Sequence, residues 1–570
     1  MRRWLAVALA FALILAVCSC EKDHHDNEGA APGAPLSPPT VPTGGPRLCI
    51  KTLIPAPCDP AYDEQLENLA RLYDRQFHVF NAYTMGMNAD VEVDLGATEV
   101  RQQIQDFLWK SDGWNVEEYS GGKSPLEMIN GWEGVAGLYG GVGIAADAYR
   151  YGVLRDQHYD PAEVDIARRH LIAALEGLHL AVDITGVPGV IARGVMRTDI
   201  PGGAGIVTTP LFDQQGNPLP TVKNNGTTRA DNSGGRYPNY VWTDSCSRDQ
   251  HIGWAAAFAA AWEVIQNDPT FSDELKFYLK KDARELGQAL MVVRDSGFDL
   301  EIPDADGRTT YHGYINENNF DRIYIPFLPI KNGMYSLMAL GALAAFQYVA
   351  QDDKLQYFIY DVLIKQRHLD EIAKSNQIGV DLGTGTNYSS VNMAFQGAVL
   401  AIRYIPDETI KANLRVALQD RLYAKPHRNR QPIEQGQSLF DFVYAGGMAG
   451  STAWQHMFME PDPGAVARGL ETLRSFPTPP FWEVPTVNCD ADEIAAHFCK
   501  GIDGTPINLL GYLGRGGTLI AAKPIPMRIR PASNYFWRSN PYEPNGGGTG
   551  GRLLGAPDFR YVYWLGRWSK

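Results

Sequence analysis

An alternation of two kinds of helical segment runs along most of this chain. Five segments rich in Gly and Ala are apolar on nearly every face: residues 126–154, 247–266, 333–351, 389–405 and 440–459. Each is followed, after a short turn, by a charged segment with one apolar stripe: residues 161–183, 270–293, 354–374, 407–423 and 463–475. A helix that is apolar all round is buried, whereas a helix with one apolar stripe covers a core. The alternation therefore predicts inner helices that take turns with outer helices.

The connections between these segments differ in length. Inner segments pass to outer segments through a few residues, but the return connections are long: residues 184–246, 295–332, 375–388 and 424–439. Loops longer than about 12–15 residues are uncommon in compact domains unless they carry a function. All the long loops enter inner helices. We therefore expect them to gather at one end of the molecule and to mark a site there.

Two more helices are predicted at residues 61–85 and 97–111, which brings the total to about twelve helices. The pattern favours an all-α (α/α)6 barrel of about six helical hairpins over residues 47–530. An open solenoid of helical pairs is the alternative, but a solenoid should have a stricter sequence period and capping repeats. Residues 531–570 are aromatic, and we expect them to form an irregular segment that seals the barrel.

In its helix order and loop asymmetry, the chain resembles the (α/α)6-toroid architecture of many secreted glycoside hydrolases and polysaccharide lyases. The resemblance covers residues 61–530 and includes no catalytic motif. In those proteins the substrate lies in a funnel, at the barrel end whose loops lead into the inner helices. The resemblance therefore implies a carbohydrate substrate or ligand, bound near the starts of the inner helices.

Residues 1–20 have the form of a bacterial lipoprotein signal peptide. Arg2 and Arg3 precede an apolar run, residues 4–17, that is too short to span a bilayer permanently. Cys20 is the predicted lipidation site because the small residue Ser19 precedes it; an ordinary cleaved signal peptide is the alternative. Residues 21–46 should form a disordered tether. We expect a protein anchored by lipid in the bacterial cell envelope, on the periplasmic or surface face of the outer membrane.

Export permits disulfide bonds. Two pairs of nearby cysteines are predicted to form local bridges, Cys49 with Cys58 and Cys489 with Cys499, which leaves Cys246 as a buried thiol. No zinc-ligand spacing, phosphate-binding loop, serine-hydrolase motif or zinc-protease motif occurs, so we predict no metal and no cofactor. The net charge of -14 is spread along the chain, which disfavours a nucleic-acid partner. We expect a monomer.

The densest group of polar residues lies directly before the second inner segment. Asp249 and His251 form a candidate acid/base pair, and Arg248 is a candidate clamp for a carboxylate or the substrate. Ser247 can cap the helix, and Trp242 is a candidate binding residue. A buried salt-bridge network between inner helices is the alternative interpretation of this group.

A second carboxylate is predicted at Glu133. A Glu inside an apolar, Gly-flanked helix is costly to bury unless it is paired or functional. Trp132 suits either a platform on which a sugar stacks or simple packing. Arg193 and Arg197 suit an anionic substrate such as a uronic acid, or equally an ion pair with Glu133 or Asp183.

Two loops supply further candidate binding residues. Tyr311, His312 and Asn316 precede the third inner segment and suit the recognition of sugar hydroxyls. Asn387 and Tyr388 end a Gly-rich loop that leads into the fourth inner segment. We expect both loops to face the predicted funnel.

These features predict a protein that acts on a carbohydrate or binds one. Hydrolysis by the two carboxylates of Asp249 and Glu133 is one predicted chemistry. Polysaccharide β-elimination is the other, with Tyr388, His251 or His312 as the base and Arg193 or Arg248 as the clamp. The alternative class is a non-catalytic envelope lipoprotein that binds a glycan or docks another protein.

Overall fold

A computed structural model describes residues 49–133, 137–318, 331–380, 382–425, 430–449, 462–484, 489–514 and 517–570. About half of the described chain is helical, and its strands are few and short. The signal peptide, Cys20 and the tether predicted at residues 21–46 lie outside the described residues.

Six helices are buried along most of their length, and we call them the core helices. They are Gly137–Asp156, Arg248–Ile265, Gly333–Ala350, Tyr388–Tyr404, Ser438–Met448 and Pro557–Trp568. Each packs against the next one along the chain, and the last packs against the first. Arg248–Ile265 and Gly333–Ala350 lie within predicted inner segments, Tyr388–Tyr404 is shifted by one residue, and Gly137–Asp156 and Ser438–Met448 overlap the predicted segments in part.

Glycines allow the core helices to approach closely, as their composition predicts. A Cβ atom on Gly253 would lie 2.6 Å from Leu138 Cα, and one on Gly397 would lie 2.8 Å from the carbonyl carbon of Leu337. Both distances are too short for any side chain, so a larger residue would push these helices apart.

Six further helices pack outside the core helices. They are Glu64–Gln76, Pro161–Asp183, Asp273–Leu290, Asp353–Tyr357, Glu408–Ala417 and Ala465–Arg474. The helices Asp353–Tyr357 and Glu408–Ala417 continue as the π-helices Phe358–Gln366 and Leu418–Tyr423. Five of the outer helices follow a core helix and pack against it, whereas Glu64–Gln76 packs against the last core helix, Pro557–Trp568.

Side-chain caps fix where most of the outer helices begin. The capping side chains accept hydrogen bonds from backbone N–H groups in the first turn, which would otherwise lack partners. They belong to Asp63, Asp160, Ser272, Asp352 and Asp407.

The prediction of an irregular C-terminal segment was wrong for its last part, because Pro557–Trp568 is a helix within the core, whereas residues 531–556 contain only one short 3-10 turn and one short strand. Arg560 and Arg567 on this helix are fully buried. Arg560 Nε donates to Asp74 Oδ1 at 2.7 Å, and Arg567 Nη1 donates to Glu67 Oε2 at 2.8 Å. Each buried arginine is therefore neutralised by a carboxylate. In the sequence alone, the two arginines make the helix look exposed.

Short strands occupy the connections. One antiparallel sheet has the order Arg552–Leu553, Asp90–Glu92, Gly131–Glu133, and in its register Asp90 stands opposite Glu133. A second sheet joins Gly194–Arg197, Tyr240–Thr243 and Thr228–Ala230. Two hairpins complete the strands, Glu301–Pro303 with Thr309–Tyr314 and Phe498–Lys500 with Pro506–Asn508.

Further helical segments lie in the remaining connections. The α-helices among them are Thr98–Lys110, Glu117–Ser120, Pro125–Met128, Leu369–Ile372 and Ala491–Ala495, and Glu64–Gln76 ends in the π-turn Phe77–Asn81. Short 3-10 turns occur at Gly383–Gly385, Pro432–Glu434, Met527–Ile529 and Phe536–Arg538. Of the described helices, Gly333–Ala350 has the length and apolar composition to cross a bilayer, but 83% of it is buried in the fold.

The two predicted pairs of cysteines are bonded. The Cα atoms of Cys49 and Cys58 lie 5.5 Å apart, and those of Cys489 and Cys499 lie 5.2 Å apart. Cys246 is a buried free thiol whose pKa is raised by burial, so it stays protonated at neutral pH.

Candidate functional site

The first turns of the first two core helices lie side by side. Leu138 N–H donates to Gln250 Oε1 at 2.6 Å, and Gly137 N–H donates to the carbonyl oxygen of Arg193 at 2.7 Å. These bonds bring together the start of Gly137–Asp156, the start of Arg248–Ile265 and the strand that follows Arg193. This is the end of the core helices that the long loops enter.

The segment 530–542 spans the same end of the core. The ring of Tyr535 lies 5.8 Å from the ring of Tyr139, which is in the first turn of the first core helix. The ring of Tyr542 lies 6.3 Å from the ring of Tyr388, which begins the fourth core helix. The starts of two core helices that are distant in sequence therefore meet on one segment.

Asp249, in the first turn of Arg248–Ile265, is the best-supported candidate carboxylate. Its side chain is partly exposed. Ser247 Oγ donates to Asp249 Oδ1 at 2.5 Å, and Gln250 Nε2 donates to Oδ2 at 3.3 Å. Arg193 Nη1 in turn donates to Ser247 Oγ at 2.8 Å. The carboxylate is thus oriented by hydrogen bonds from neighbours that are themselves held in place.

The charges around Asp249 keep it ionised. Burial alone would raise the pKa of this carboxyl group, but the guanidinium of Arg538, the hydrogen bond from Ser247 and the charges of Arg193 and Arg248 together lower it below its usual range. Asp249 therefore carries a negative charge at neutral pH.

A hairpin holds the loop that leads to Asp249. Ser245 has a left-handed backbone, with φ of 63°, and its N–H donates to Asp304 Oδ2 at 2.7 Å. Tyr311 N–H donates to Ser245 Oγ at 2.9 Å, and Thr310 Oγ1 donates to the carbonyl oxygen of Cys246 at 2.8 Å. The strained turn before Asp249 is therefore fixed by the hairpin that carries Tyr311 and not by the loop alone.

Tyr139 and Arg538 interact electrostatically with Asp249, and sequence reasoning missed Tyr139. Arg538 Nη1 donates a hydrogen bond to the Tyr139 hydroxyl oxygen. Burial raises the pKa of Tyr139; Arg538 lowers it, and the charges of Asp249 and Asp90 raise it further. The hydroxyl therefore stays protonated and lies within electrostatic reach of two carboxyl groups.

Asp90 is the second carboxyl group. Its environment raises its pKa, whereas that of Asp249 lowers its pKa. Its residue is 8% exposed, and its Oδ1 has no hydrogen-bond partner among the described residues. Burial raises the pKa of Asp90 to about 7, although Arg552 and a 3.4 Å hydrogen bond from Asn534 oppose the rise. A large fraction of Asp90 is therefore protonated at neutral pH.

The prediction that Glu133 lies inside a buried helix was wrong. Glu133 ends the strand Gly131–Glu133, before the core helix begins at Gly137, and its side chain is 56% exposed in an ion pair with Arg552. Strand pairing with Asp90–Glu92 overrides the helical pattern at this point. Asp90, directly opposite Glu133, is the carboxyl group that is buried there.

His251 does not pair with Asp249. Residues two apart on a helix do not face each other, and no hydrogen bond joins these two side chains. His251 is buried, with its ring 5.5 Å from the ring of Phe346. Burial lowers the pKa of His251 to about 4, so it is neutral. The predicted acid/base pair is therefore wrong.

Arg248 and His312 meet at the edge of this site. Arg248 Nη1 donates to the carbonyl oxygen of His312 at 3.4 Å, and its guanidinium lies 5.4 Å from the centre of the Tyr335 ring. The His312 ring lies edge-on to Tyr311 at 4.5 Å. These three predicted residues therefore lie next to the Asp249 helix, with each side chain partly exposed.

The two predicted tryptophans pack in the core instead of forming platforms for a sugar. Trp242 and Trp132 are 1% and 3% exposed. Trp242 Nε1 donates to the carbonyl oxygen of Ala230 at 2.9 Å, and Trp132 Nε1 donates to that of Phe80 at 2.7 Å. Both lie on strands with their rings turned inward, so the binding role predicted for them was wrong.

Asn316 and Asn387 have structural roles. Asn316 is buried, and its Nδ2 donates to Asp299 Oδ1 at 2.8 Å. Asn387 caps the fourth core helix by accepting the N–H of Ser389 at 3.1 Å. Tyr388 is 5% exposed and packs near Tyr542. The hydroxyl recognition predicted for Asn316 is therefore wrong, because its amide is already used.

Arg193 is not an ion-pair partner of Glu133 or Asp183. Its Nη1 contacts Ser247 Oγ and, more weakly, the carbonyl oxygen of Ser245 at 3.3 Å and Asn225 Oδ1 at 3.2 Å. All three acceptors are neutral. We call Asp249, Asp90, Tyr139, Arg193, Arg248 and Arg538 the Asp249 group.

A cavity of about 590 Å³ lies elsewhere. Its lining includes two stacked histidines, with ring centres 3.6 Å apart, and none of the Asp249 group. Burial lowers the pKa of both His78 and His170, so they are neutral. Arg197, which also lines the cavity, binds Asp199 at 2.8 Å. Because the cavity has no matched pair of charged and protonated carboxyl groups, we place the candidate chemistry at Asp249.

In the described part of the chain, no three His, Cys, Asp or Glu side chains are arranged to hold a metal ion. No protein-family model matches this chain, and no curated protein is significantly similar to it in sequence.

Proposed function

We propose that the protein is an (α/α)6 toroid that hydrolyses glycosidic bonds in a carbohydrate. The circular order of contacts among the six core helices supports the toroid. So does the pairing of each core helix with one outer helix, in which Glu64–Gln76 completes the pair of the C-terminal core helix. In such an arrangement the C-terminal core helix closes the ring by packing against the first core helix and against Glu64–Gln76.

The opposite protonation of Asp90 and Asp249 carries the proposal. Glycoside hydrolysis needs one protonated carboxyl group to donate to the leaving oxygen, and one carboxylate to activate water or attack the sugar. Two carboxyl groups whose environments drive their pKa values apart meet this need. Asp90 is the general acid and Asp249 is the base or nucleophile. Tyr139 connects the two, because the charges of both Asp249 and Asp90 raise the pKa of its hydroxyl.

β-Elimination is less well supported. A Tyr base must lose its proton easily, yet the pKa of Tyr139 is raised, chiefly by burial. Of the bases predicted from the sequence, His251 is buried against Phe346 and Tyr388 is 5% exposed, so neither is well placed to take a proton from a substrate. Glycan binding without catalysis requires no carboxyl groups with opposite pKa shifts, so it leaves the raised pKa of Asp90 and the lowered pKa of Asp249 unexplained.

We also propose that the protein is exported and held in the bacterial envelope by a lipid on Cys20. The signal-like residues 1–20 support this location. The two local disulfides fit an oxidising compartment.

The test is incubation of the purified protein with a panel of polysaccharides, followed by assays for new reducing ends and for the absorbance of unsaturated products. Hydrolysis gives reducing ends without that absorbance. Unsaturated products would show elimination and contradict the proposed hydrolysis. Retention on a glycan without any product would also contradict hydrolysis and would support binding without catalysis.

A further inference from the structure

We propose that the sugar bound beside Asp249 carries a carboxylate, as a uronic acid does, and that Arg193 and Arg538 bind this carboxylate. The inference rests on the proposed function, because it names the substrate class of the same site. It makes the ligand an acidic polysaccharide.

Arg193 and Arg538 come to the site from different parts of the chain. Arg193 directly precedes the strand Gly194–Arg197, and Arg538 ends the turn Phe536–Arg538. Both side chains are partly exposed. Neither forms an ion pair with a carboxylate in the described ranges, although both act electrostatically on Asp249.

Each guanidinium keeps one edge unused. The hydrogen bonds of Arg193 all leave from Nη1, and so does the bond from Arg538 to Tyr139. The edge formed by Nε and Nη2 makes no hydrogen bond to a described residue in either arginine. That edge presents two parallel N–H donors, the geometry that binds a planar carboxylate with two hydrogen bonds.

The net positive charge of the side chains around Asp249 also favours an anionic ligand. Asp249 supplies one negative charge, whereas Arg193 and Arg538 supply two positive charges. A partly buried guanidinium without a matching charge is costly. A ligand carboxylate would restore the balance, and a neutral sugar would not.

The nearby Arg197 provides a matched comparison. It lies on the strand that follows Arg193, but its Nε and Nη2 already bind Asp199 at 2.9 Å and 2.8 Å. Its carboxylate-binding edge is occupied. Loss of Arg197 should therefore leave the binding of an acidic polysaccharide unchanged.

The experiment measures retention of the purified full chain by polygalacturonate, alginate and hyaluronan, each compared with its carboxyl-reduced form. We expect at least one acidic polymer to bind, and its reduced form to bind at least about tenfold more weakly, as expected for loss of hydrogen bonds to charged groups. Arg193→Gln and Arg538→Gln should each weaken binding by a similar factor, and Arg197→Gln should not. Thermal melting checks that the variants are folded.

Salt supplies a test that needs no variant. Binding of wild-type protein to the acidic polymer should weaken steadily as salt rises, because the attraction is between charges. Equal binding of the reduced polymer, insensitivity to salt, or no retention by any of the three acidic polymers would each overturn the inference.

The outcomes separate the two proposals. Arginine-dependent binding without cleavage would support the acidic ligand and contradict hydrolysis. Cleavage of reduced and acidic polymers at equal rates would support hydrolysis and contradict the acidic ligand.

Discussion

Arg538 donates a hydrogen bond to the hydroxyl of Tyr139, so a residue near the C-terminus contacts the first turn of the first core helix. Asp249 acts electrostatically on both partners, and Asp90 acts on Tyr139. The site is therefore assembled from parts of the chain that come together only when the core helices close on one another.

The activity should depend on pH through Asp90. Because its pKa is raised to about 7, Asp90 is protonated below neutral pH and loses its proton above it. We expect kcat/KM to fall as the pH rises through about 7. Asp90→Asn should abolish this fall and lower the rate by about 10²–10⁴-fold, the usual contribution of a general acid. A pH–rate profile of both proteins measures this.

Glu92→Gln is the matched control, since Glu92 lies on the same strand with its side chain 58% exposed. It should keep the wild-type profile. An unchanged alkaline fall in Asp90→Asn would assign that fall to another group.

The same residue should affect stability with a definite sign. The folded pKa of Asp90 lies above its ordinary value of 3.8, so the stabilisation from its proton is complete below that value and is lost as the pH rises toward about 7. Asp90→Asn should therefore raise Tm relative to wild type above neutral pH, and this advantage should disappear in acid. Thermal melts across the pH range test it. An advantage that is constant with pH would contradict the raised pKa.

Close contact between core helices should make Gly253 intolerant of a side chain. A Cβ there would lie 2.6 Å from Leu138 Cα, so Gly253→Ala should lower the free energy of unfolding by about 1–3 kcal/mol. Gly143→Ala is the control, because its Cβ would meet Phe77 at an ordinary 3.5 Å. Since Ala favours a helix over Gly, the control should be neutral or stabilising by up to about 1 kcal/mol. Urea unfolding distinguishes the two; equal effects would refute the tight contact.

Arg560 should be essential to the closure of the core. It is fully buried between Asp74 and Asp147, and Arg560→Met would leave both carboxylates without it. Breaking a buried pair costs about 3–5 kcal/mol. The exposed pair of Arg169 with Asp165 gives the control, since Arg169→Met should cost less than about 1 kcal/mol. The free energy of unfolding of both variants is measured by chemical denaturation. If Arg560→Met lowers it no more than Arg169→Met does, the C-terminal helix does not depend on these charges.

Several features were accessible from the sequence because they are local. Five core helices and their outer partners follow from apolar periodicity, and the disulfides follow from short cysteine spacings. Asp249 was also a sequence-based candidate, since polar residues cluster at the start of an otherwise apolar helix.

The features that sequence reasoning missed depend on distant contacts. Pro557–Trp568 contains two arginines, which look exposed until Glu67 and Asp74, at the other end of the chain, are seen to pair with them. Asp90 lies in a three-residue strand with no motif, and only its pairing with Gly131–Glu133 makes it a buried carboxyl group. Arg538 lies in an aromatic stretch that the sequence predicted to seal the barrel.

Replacement of Asp249 tests the proposed hydrolysis most directly. Asp249→Asn should lower the release of reducing ends by about 10²–10⁴-fold while leaving the protein folded and its binding to the polysaccharide intact or stronger. Asp273→Asn, the same change in the exposed first turn of an outer helix, should keep full activity. If Asp249→Asn releases reducing ends at the wild-type rate, Asp249 is not the catalytic carboxylate and the proposed mechanism is contradicted.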